Sequence, residues 1–262
     1  MYRLGFSRRL ATIVVAALIT AALAACGSSG SSKSTSTSTT SPATSVDRKA
    51  MRAGLVRASD FPSDWRDTGK PPSSSSDKET QRVAKGIAEC REFVKQAEIS
   101  DRQTKIKSSE FENATEAAAN PNQVSTSSND VVAYASAAEA KTAYDAFAGS
   151  STTTCLQRLF DKILQQQMAA SATPGQPTAK LDTSVERLGV PAAGDATTAY
   201  QVVVTISVGA ASQQLGLVVQ LVRVERYVVN YTATLYKAAP DQFGENLVAR
   251  SMGRFEAALG RP

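Results

Sequence analysis

The stretch Thr197 to Tyr236, TTAYQVVVTISVGAASQQLGLVVQLVRVERYVVNYTATLY, decides the fold. Val202, Val204, Ile206 and Val208 recur at every second position, as do Leu215, Leu217, Val219 and Leu221, and then Val229, Tyr231, Ala233 and Leu235. A period of two is that of a strand with one buried face, so the segments 197–208, 213–224 and 227–236 are predicted as adjacent antiparallel strands with these residues on a common core face. Gly209 to Ser212 supplies a turn, whereas Glu225-Arg226 lacks the Gly or Asn that a two-residue hairpin prefers.

The opposite face of these strands carries Val203 and Thr205, then Val218, Gln220 and Val222, then Asn230, Thr232, Thr234 and Tyr236. A mixed apolar and hydroxyl lining suits an amphipathic ligand, with apolar area for affinity and a few polar groups for orientation. These nine residues form the candidate ligand surface, against the plainer alternative of a sheet face left wet.

Outward from this stretch, residues 178–188 form a further strand and 241–259 a closing helix. Upstream, helices are predicted over 47–56, 77–99, 137–148 and 152–170, with strands over 103–112 and 124–135. Trp65, the one tryptophan, follows the turn Ser59 to Asp64 and is expected to plug one end of the core. The fold class is α+β: a central antiparallel sheet of about six strands with helices mainly on one face.

The N-terminus carries an address. Arg3, Arg8 and Arg9 precede an apolar run from Leu10 that ends in Leu23-Ala24-Ala25-Cys26. This is a signal peptide over 1–25, and its last four residues resemble the lipobox of bacterial lipoproteins, in which the cysteine is acylated after cleavage before it. A run of about 15 apolar residues is short of the ~20 that span hydrocarbon. Residues 26–46 are a lipidated cysteine followed by a Ser/Thr-rich tether, and 47–262 is the folded domain. The expected location is the extracytoplasmic face of the cell membrane, by either Sec or Tat export, with the membrane itself a partner through Cys26.

With Cys26 acylated, Cys90 and Cys155 remain, each on the inner stripe of a predicted helix in a protein sent to an oxidising compartment. A disulfide between them is the economical reading. A redox-active pair would sit closer in sequence at an exposed helix start.

Composition narrows the chemistry. The chain has no histidine, which excludes Ser-His-Asp and Cys-His catalysis and histidine-based zinc sites. Asp60 with Asp64 and Glu110 with Glu112 can be drawn as acid/base pairs, but each is more simply a cap or a solvated strand edge. No Gly-rich phosphate loop follows a strand, and neither a cofactor nor a metal is expected. Removing Arg3, Arg8 and Arg9 from 29 basic residues leaves 26 against 24 acidic ones, a near balance without a nucleic-acid footprint.

The order of elements, with Cys90 on a helix, a strand ending in Val131-Val132-Ala133-Tyr134-Ala135-Ser136, the Ala-rich helix from Ala137 through Phe147, Cys155 and then a strand-rich half, resembles extracellular sensor-like domains of actinobacteria. These occur as the external portion of a mycobacterial receptor serine/threonine kinase and as free lipoproteins. The resemblance covers about Ala50 to Leu259 and implies a sheet flanked by helices, a cleft that receives a ligand, and no enzymatic activity. The kinase-linked version has two disulfides, and this chain has cysteines for one.

The expected function is therefore a non-enzymatic lipoprotein that binds an envelope lipid or other small amphipathic ligand, or alternatively a module that docks an envelope or host protein. Replacing Cys26 with Ala should move the protein from the membrane to the soluble fraction; continued tight membrane association of Cys26→Ala would sink the lipid anchor.

Overall fold

The computed structural model describes residues 45–72, 77–121, 123–171, 179–236 and 243–261. The signal peptide, Cys26 and nearly all of the tether lie outside the described residues. So do Ser73 to Ser76 and the Pro174 to Pro177 stretch, whose composition marks a loop and a helix stop.

In chain order the elements are α1 (Ser45–Ala53), β1 (Trp65–Asp67), α2 (Asp77–Lys85), α3 (Arg91–Ser100), β2 (Thr104–Lys107), β3 (Phe111–Asn113), α4 (Ala114–Ala119), β4 (Thr126–Ala133), α5 (Ala137–Ala148), α6 (Thr152–Ser171), β5 (Lys180–Leu188), β6 (Ala196–Val208), β7 (Ala211–Val224), β8 (Tyr227–Tyr236) and α7 (Phe243–Ala258). The eight strands form one antiparallel sheet in the order β1-β3-β4-β8-β7-β6-β5, with β2 beside β4.

The predicted α+β architecture is present, with two more strands than the periodicity indicated. The strand expected over 103–112 is two short strands, both paired to β4, and the three-residue β1 pairs β3. The helix expected over 77–99 is interrupted after Lys85, where Gly86 leads into a 3-10 turn, Ala88–Cys90, before α3 begins.

Two apolar clusters sandwich the sheet. On one face α2, α3, α5 and α6 pack Val83, Val94, Phe147, Leu159 and Leu164 onto Val132, Val202, Val219 and Val228. On the other, α1 and α7 pack Met51, Leu247, Met252 and Phe255 onto Val131, Val222, Val229 and Tyr231. We call these the helix-rich face and the terminal face. Trp65 stacks on Phe61 at 5.3 Å between ring centroids, and Phe61 on Phe111 at 4.3 Å, which closes one end of the second cluster as expected.

The first and last described helices are locked together across the terminal face. Arg254 of α7 donates from Nη1 and Nη2 to the two oxygens of Asp60, each at 2.7 Å, and also to the carbonyls of Ala53 at the end of α1 and of Leu55 just past it. Arginine presents a planar fork that matches a carboxylate in this way. Burial alone would raise the Asp60 pKa, but the bonds from Arg254 and the Arg57 N–H hold it below the ordinary value.

Register on the sheet is set by two tight turns. Val208 pairs with Ala211, so Gly209 and Ala210 form the first, with Gly209 at φ +59° as a two-residue turn requires. Val224 pairs with Tyr227, so Glu225 and Arg226 form the second, and Glu225 takes φ 51° without being glycine. The Asp195 carboxylate accepts the Glu225 N–H at 2.6 Å and sits beside Arg223 and Arg261. Desolvation would raise the Asp195 pKa, and these partners outweigh it and hold the group low.

This second turn corrects the expected core face. A two-residue loop places odd positions of β7 opposite even positions of β8: Leu217 faces Thr234, Val219 faces Thr232, and Leu221 faces Asn230. Val229, Tyr231 and Leu235 therefore lie on the face opposite Leu217 and Val219, not with them.

A left-handed φ costs a side-chain-bearing residue ~1–2 kcal/mol, partly offset in glycine by its chain entropy. Glu225→Gly should raise the unfolding free energy by about 0.5–1 kcal/mol. Chemical denaturation at neutral pH checks this, and a loss of stability would contradict the strain assigned to the turn.

Candidate ligand cleft

On the helix-rich face, α3 and α5 come into contact and leave a cleft over the sheet. Phe93, Gln96, Ala97 and Ser100 line one wall and Ala143, Ala146 and Phe147 the other. The floor is Asp130 and Val132 of β4, Val228 and Asn230 of β8 and Leu221 of β7, with Tyr134 just beyond β4. The cleft encloses about 80 Å³ and is open to solvent on one side.

Local chemistry fixes both walls. Ser136 caps α5 by accepting the Glu139 N–H at 3.2 Å, the expected role for serine at a helix start. Tyr200 donates to the Phe147 carbonyl at 3.1 Å and meets the Phe147 ring edge-on at 5.3 Å, which anchors the far end of α5 to β6. Phe93 and Phe147 approach across the walls with ring centroids 6.2 Å apart.

The other wall is held by covalent bonding. Cys90, immediately before α3, is joined to Cys155 of α6 with both cysteines fully buried, as the sequence reading expected. A Glu89–Arg158 ion pair at 2.7 Å flanks the bridge.

The floor mixes polarity in one row. Asp130 and Asn230 pair across β4 and β8, and Asn230 Nδ2 reaches Asp130 Oδ2 at 3.5 Å. Asp130 is 8% exposed, and Asn230 Oδ1 is buried with no hydrogen-bond partner among the described residues. Gln96 donates to Glu92 at 3.0 Å on the wall above.

Of the nine residues predicted for a ligand surface, the structure brings only Asn230 into this cleft. Thr232, Thr234 and Tyr236 share its face, but Thr234 is fully buried and Tyr236 packs with Leu215 and Ile206. Val203, Thr205, Val218, Gln220 and Val222 lie on the terminal face. There Val222 is buried in the second cluster and Gln220 bonds Thr197 at 3.3 Å. The single predicted surface is thus two surfaces, because the hairpin at Glu225-Arg226 is one that its sequence disfavoured.

The cleft residues missed by sequence reasoning are those of α3, α5 and β4. Asp130 carried a usable signal: it shares the period-two face of Val132 and Tyr134, which sets a carboxylate in an apolar series.

The carboxylates considered for catalysis have other partners. Asp60 is held by Arg254, Asp64 accepts from Asn113 at 2.8 Å, and Glu112 pairs with Arg66. Glu110 is pushed above its ordinary pKa by burial and by the charge of Glu112. Among the described residues there is no cluster of three or more His, Cys, Asp or Glu that could hold a metal ion, and no helix long and apolar enough to cross a membrane.

No family model matches this chain, and neither does any curated protein. One solved structure with which it overlaps is the crystal structure of the extracellular domain of PknH from Mycobacterium tuberculosis. That match has 12% identity and a TM-score of 0.26, and covers 58% of this chain and 66% of that one. An overlap of this extent transfers neither ligand nor activity, so function rests on the cleft itself.

The bridge closes a loop of 65 residues, for which the chain-entropy model gives about 4 kcal/mol. Cys90→Ala with Cys155→Ala should therefore lower the unfolding free energy by about that amount and loosen the start of α3. Hydrogen exchange should accelerate in α3 ahead of α5; equal protection of α3 in both proteins would remove the bridge as its brace.

Proposed function

We propose that this protein is a lipid-anchored extracytoplasmic binding protein, without catalytic activity, whose cleft between α3 and α5 receives a small amphipathic ligand. The observation that carries the reading is the convergence of apolar walls, Phe93, Phe147, Leu221 and Val228, on a buried polar pair with an unused acceptor. Binding sites combine apolar area with a few convergent polar groups in this manner. Acylated Cys26 is the proposed anchor, joined to the domain through the Ser/Thr-rich segment.

The enclosed volume bounds the ligand. It is roughly half of the ~150 Å³ cavity that accommodates benzene, so a small group enters and any longer chain extends along the open side. A docking module is a second reading favoured by a separate surface: Val203 and Val218 are half-buried on the terminal face and belong to neither apolar cluster.

Mass spectrometry of organic extracts from the whole protein, purified from a host with its own envelope, tests the cleft. Wild type should yield a ligand near one equivalent, and Ala146→Trp, which places a ring in the cleft mouth from a partly exposed position, should yield little at an unchanged melting temperature. Empty wild type, or equal ligand in both proteins, would overturn the assignment in favour of protein docking.

A further inference from the structure

Given the cleft reading, we infer that the group it takes is neutral and hydroxylated, a sugar or polyol head whose adjacent hydroxyls donate to Asp130 and Asn230. Three strands place Lys107, Asp130 and Asn230 side by side in one row on the helix-rich face, through the pairs Lys107 with Asp130 and Asp130 with Asn230. The hydrogen-bonding capacity of this row is unequal. Asn230 turns its amide donor toward the Asp130 carboxylate, which leaves its Oδ1 buried and unmatched. The contact that Asp130 receives in return is 3.5 Å, the long limit of a hydrogen bond, so the carboxylate retains free lone pairs. Asp130 is 8% exposed and the Asn230 Oδ1 beside it is unmatched, so the pair has acceptor capacity for two donors.

Charge then selects among donor-bearing heads. An anion would meet Asp130. A cation would compete with Lys107, which already lies next to that carboxylate in the row, and with Lys105 on the same face; Asp101 is within electrostatic reach of both lysines. Lys107 beside Asp130 in the row offsets the charge of that carboxylate, which favours a neutral group over either ion. Adjacent hydroxyls of a neutral group can donate to both acceptors and also accept from an ammonium. The rings of Phe93 and Phe147 at the apolar end of the cleft offer contact to a chain attached to such a head.

Calorimetric titration of the full-length chain carrying Cys26→Ala separates the alternatives with probes that share one tail: hexyl β-glucoside, hexyltrimethylammonium and hexyl sulfate, with glucose as the tail-free probe. Hexyl glucoside should bind about tenfold or more tightly than either charged probe, as two added hydrogen bonds allow. Glucose matching hexyl glucoside would identify a glycan as the source of the head, and glucose binding far more weakly would identify a glycolipid; both outcomes support the inference. Asn230→Leu should abolish the preference while leaving the melting temperature equal to or above wild type, since an unmatched buried acceptor is removed, and Asp130→Asn should weaken glucoside binding in a protein of the same shape. Equal affinity for the three hexyl probes, preference for a charged one, or a preference that survives Asn230→Leu would overturn the hydroxylated head while leaving an amphipathic cleft. Failure of all four probes to bind would overturn both.

Discussion

Only two residues lie between Val224 and Tyr227, and because side chains alternate along a strand, that number assigns every residue of β8 to its face. Val228 and Asn230 are sent to the helix-rich side, and Val229 and Tyr231 to the side covered by α1 and α7. One more or one fewer residue would place Tyr231 in the cleft and Asn230 under Phe255. The turn is correspondingly well held. Asp195 accepts the Glu225 N–H, while Arg226 pairs with Asp47 of α1 at 2.7 Å and donates to the Tyr134 carbonyl at 3.0 Å. Gly194 lies against the same strand end, where an added Cβ would stand 2.5 Å from the Arg223 carbonyl oxygen. A backbone conformation that glycine would adopt freely is here imposed on glutamate by partners from three other segments.

The same turn connects fold to site. Through Arg226 it joins α1 to the segment between β4 and α5, and Tyr134 in that segment donates its own N–H to the Arg226 carbonyl at 2.9 Å. The start of α5, one wall of the cleft, is thereby referenced to the sheet, while the disulfide references α3 to α6. The gap persists because α5 presents Ala143 and Ala146 where larger residues would have filled it, and because the Phe93 and Phe147 rings meet at its apolar end instead of along its length.

Much of this architecture was legible locally. The alternation through Val202, Val204, Leu217 and Val219 assigned β6 and β7 their faces and Gly209 marked the turn, although Ala211 and Ser212, expected in the turn, pair with Val208 and Ser207 inside the ladder; the Ala-rich helix was bounded at the residues where it is found. Its Ser136 cap and the Gly149 that follows are signals within one turn of the helix. The parts that were not legible depend on distant partners. Glu225 has no local reason for a positive φ; the reason is Asp195, 30 residues away in sequence. Strands of three residues such as β1 and β3 contain too few positions to show a period and exist because β4 offers an edge to pair with. Gly86 sat inside a convincing apolar stripe, and the stripe continued across the break because α2 packs on α6 and α3 on α5 within one apolar cluster.

The candidate site escaped for a related reason, and its composition bears on its meaning. Packing of the helix-rich face is already accomplished one row along, where Val132 and Val228 are buried side by side. Apolar residues at 130 and 230 would extend that core and seal the gap, with no carboxylate to desolvate and no orphaned amide oxygen. On the terminal face the adjacent polar residue, Asn129, is fully used: its amide bonds the Gly54 carbonyl at 2.8 Å and its oxygen accepts the Val56 N–H at 2.9 Å, which ties the segment after α1 to β4. Asn129 therefore has a structural explanation and the pair beside it does not. Local choices that run against stability without serving the fold concentrate where a protein meets something else. By that criterion the floor of the cleft, rather than the better-filled surfaces around it, is where the proposed ligand would be recognised.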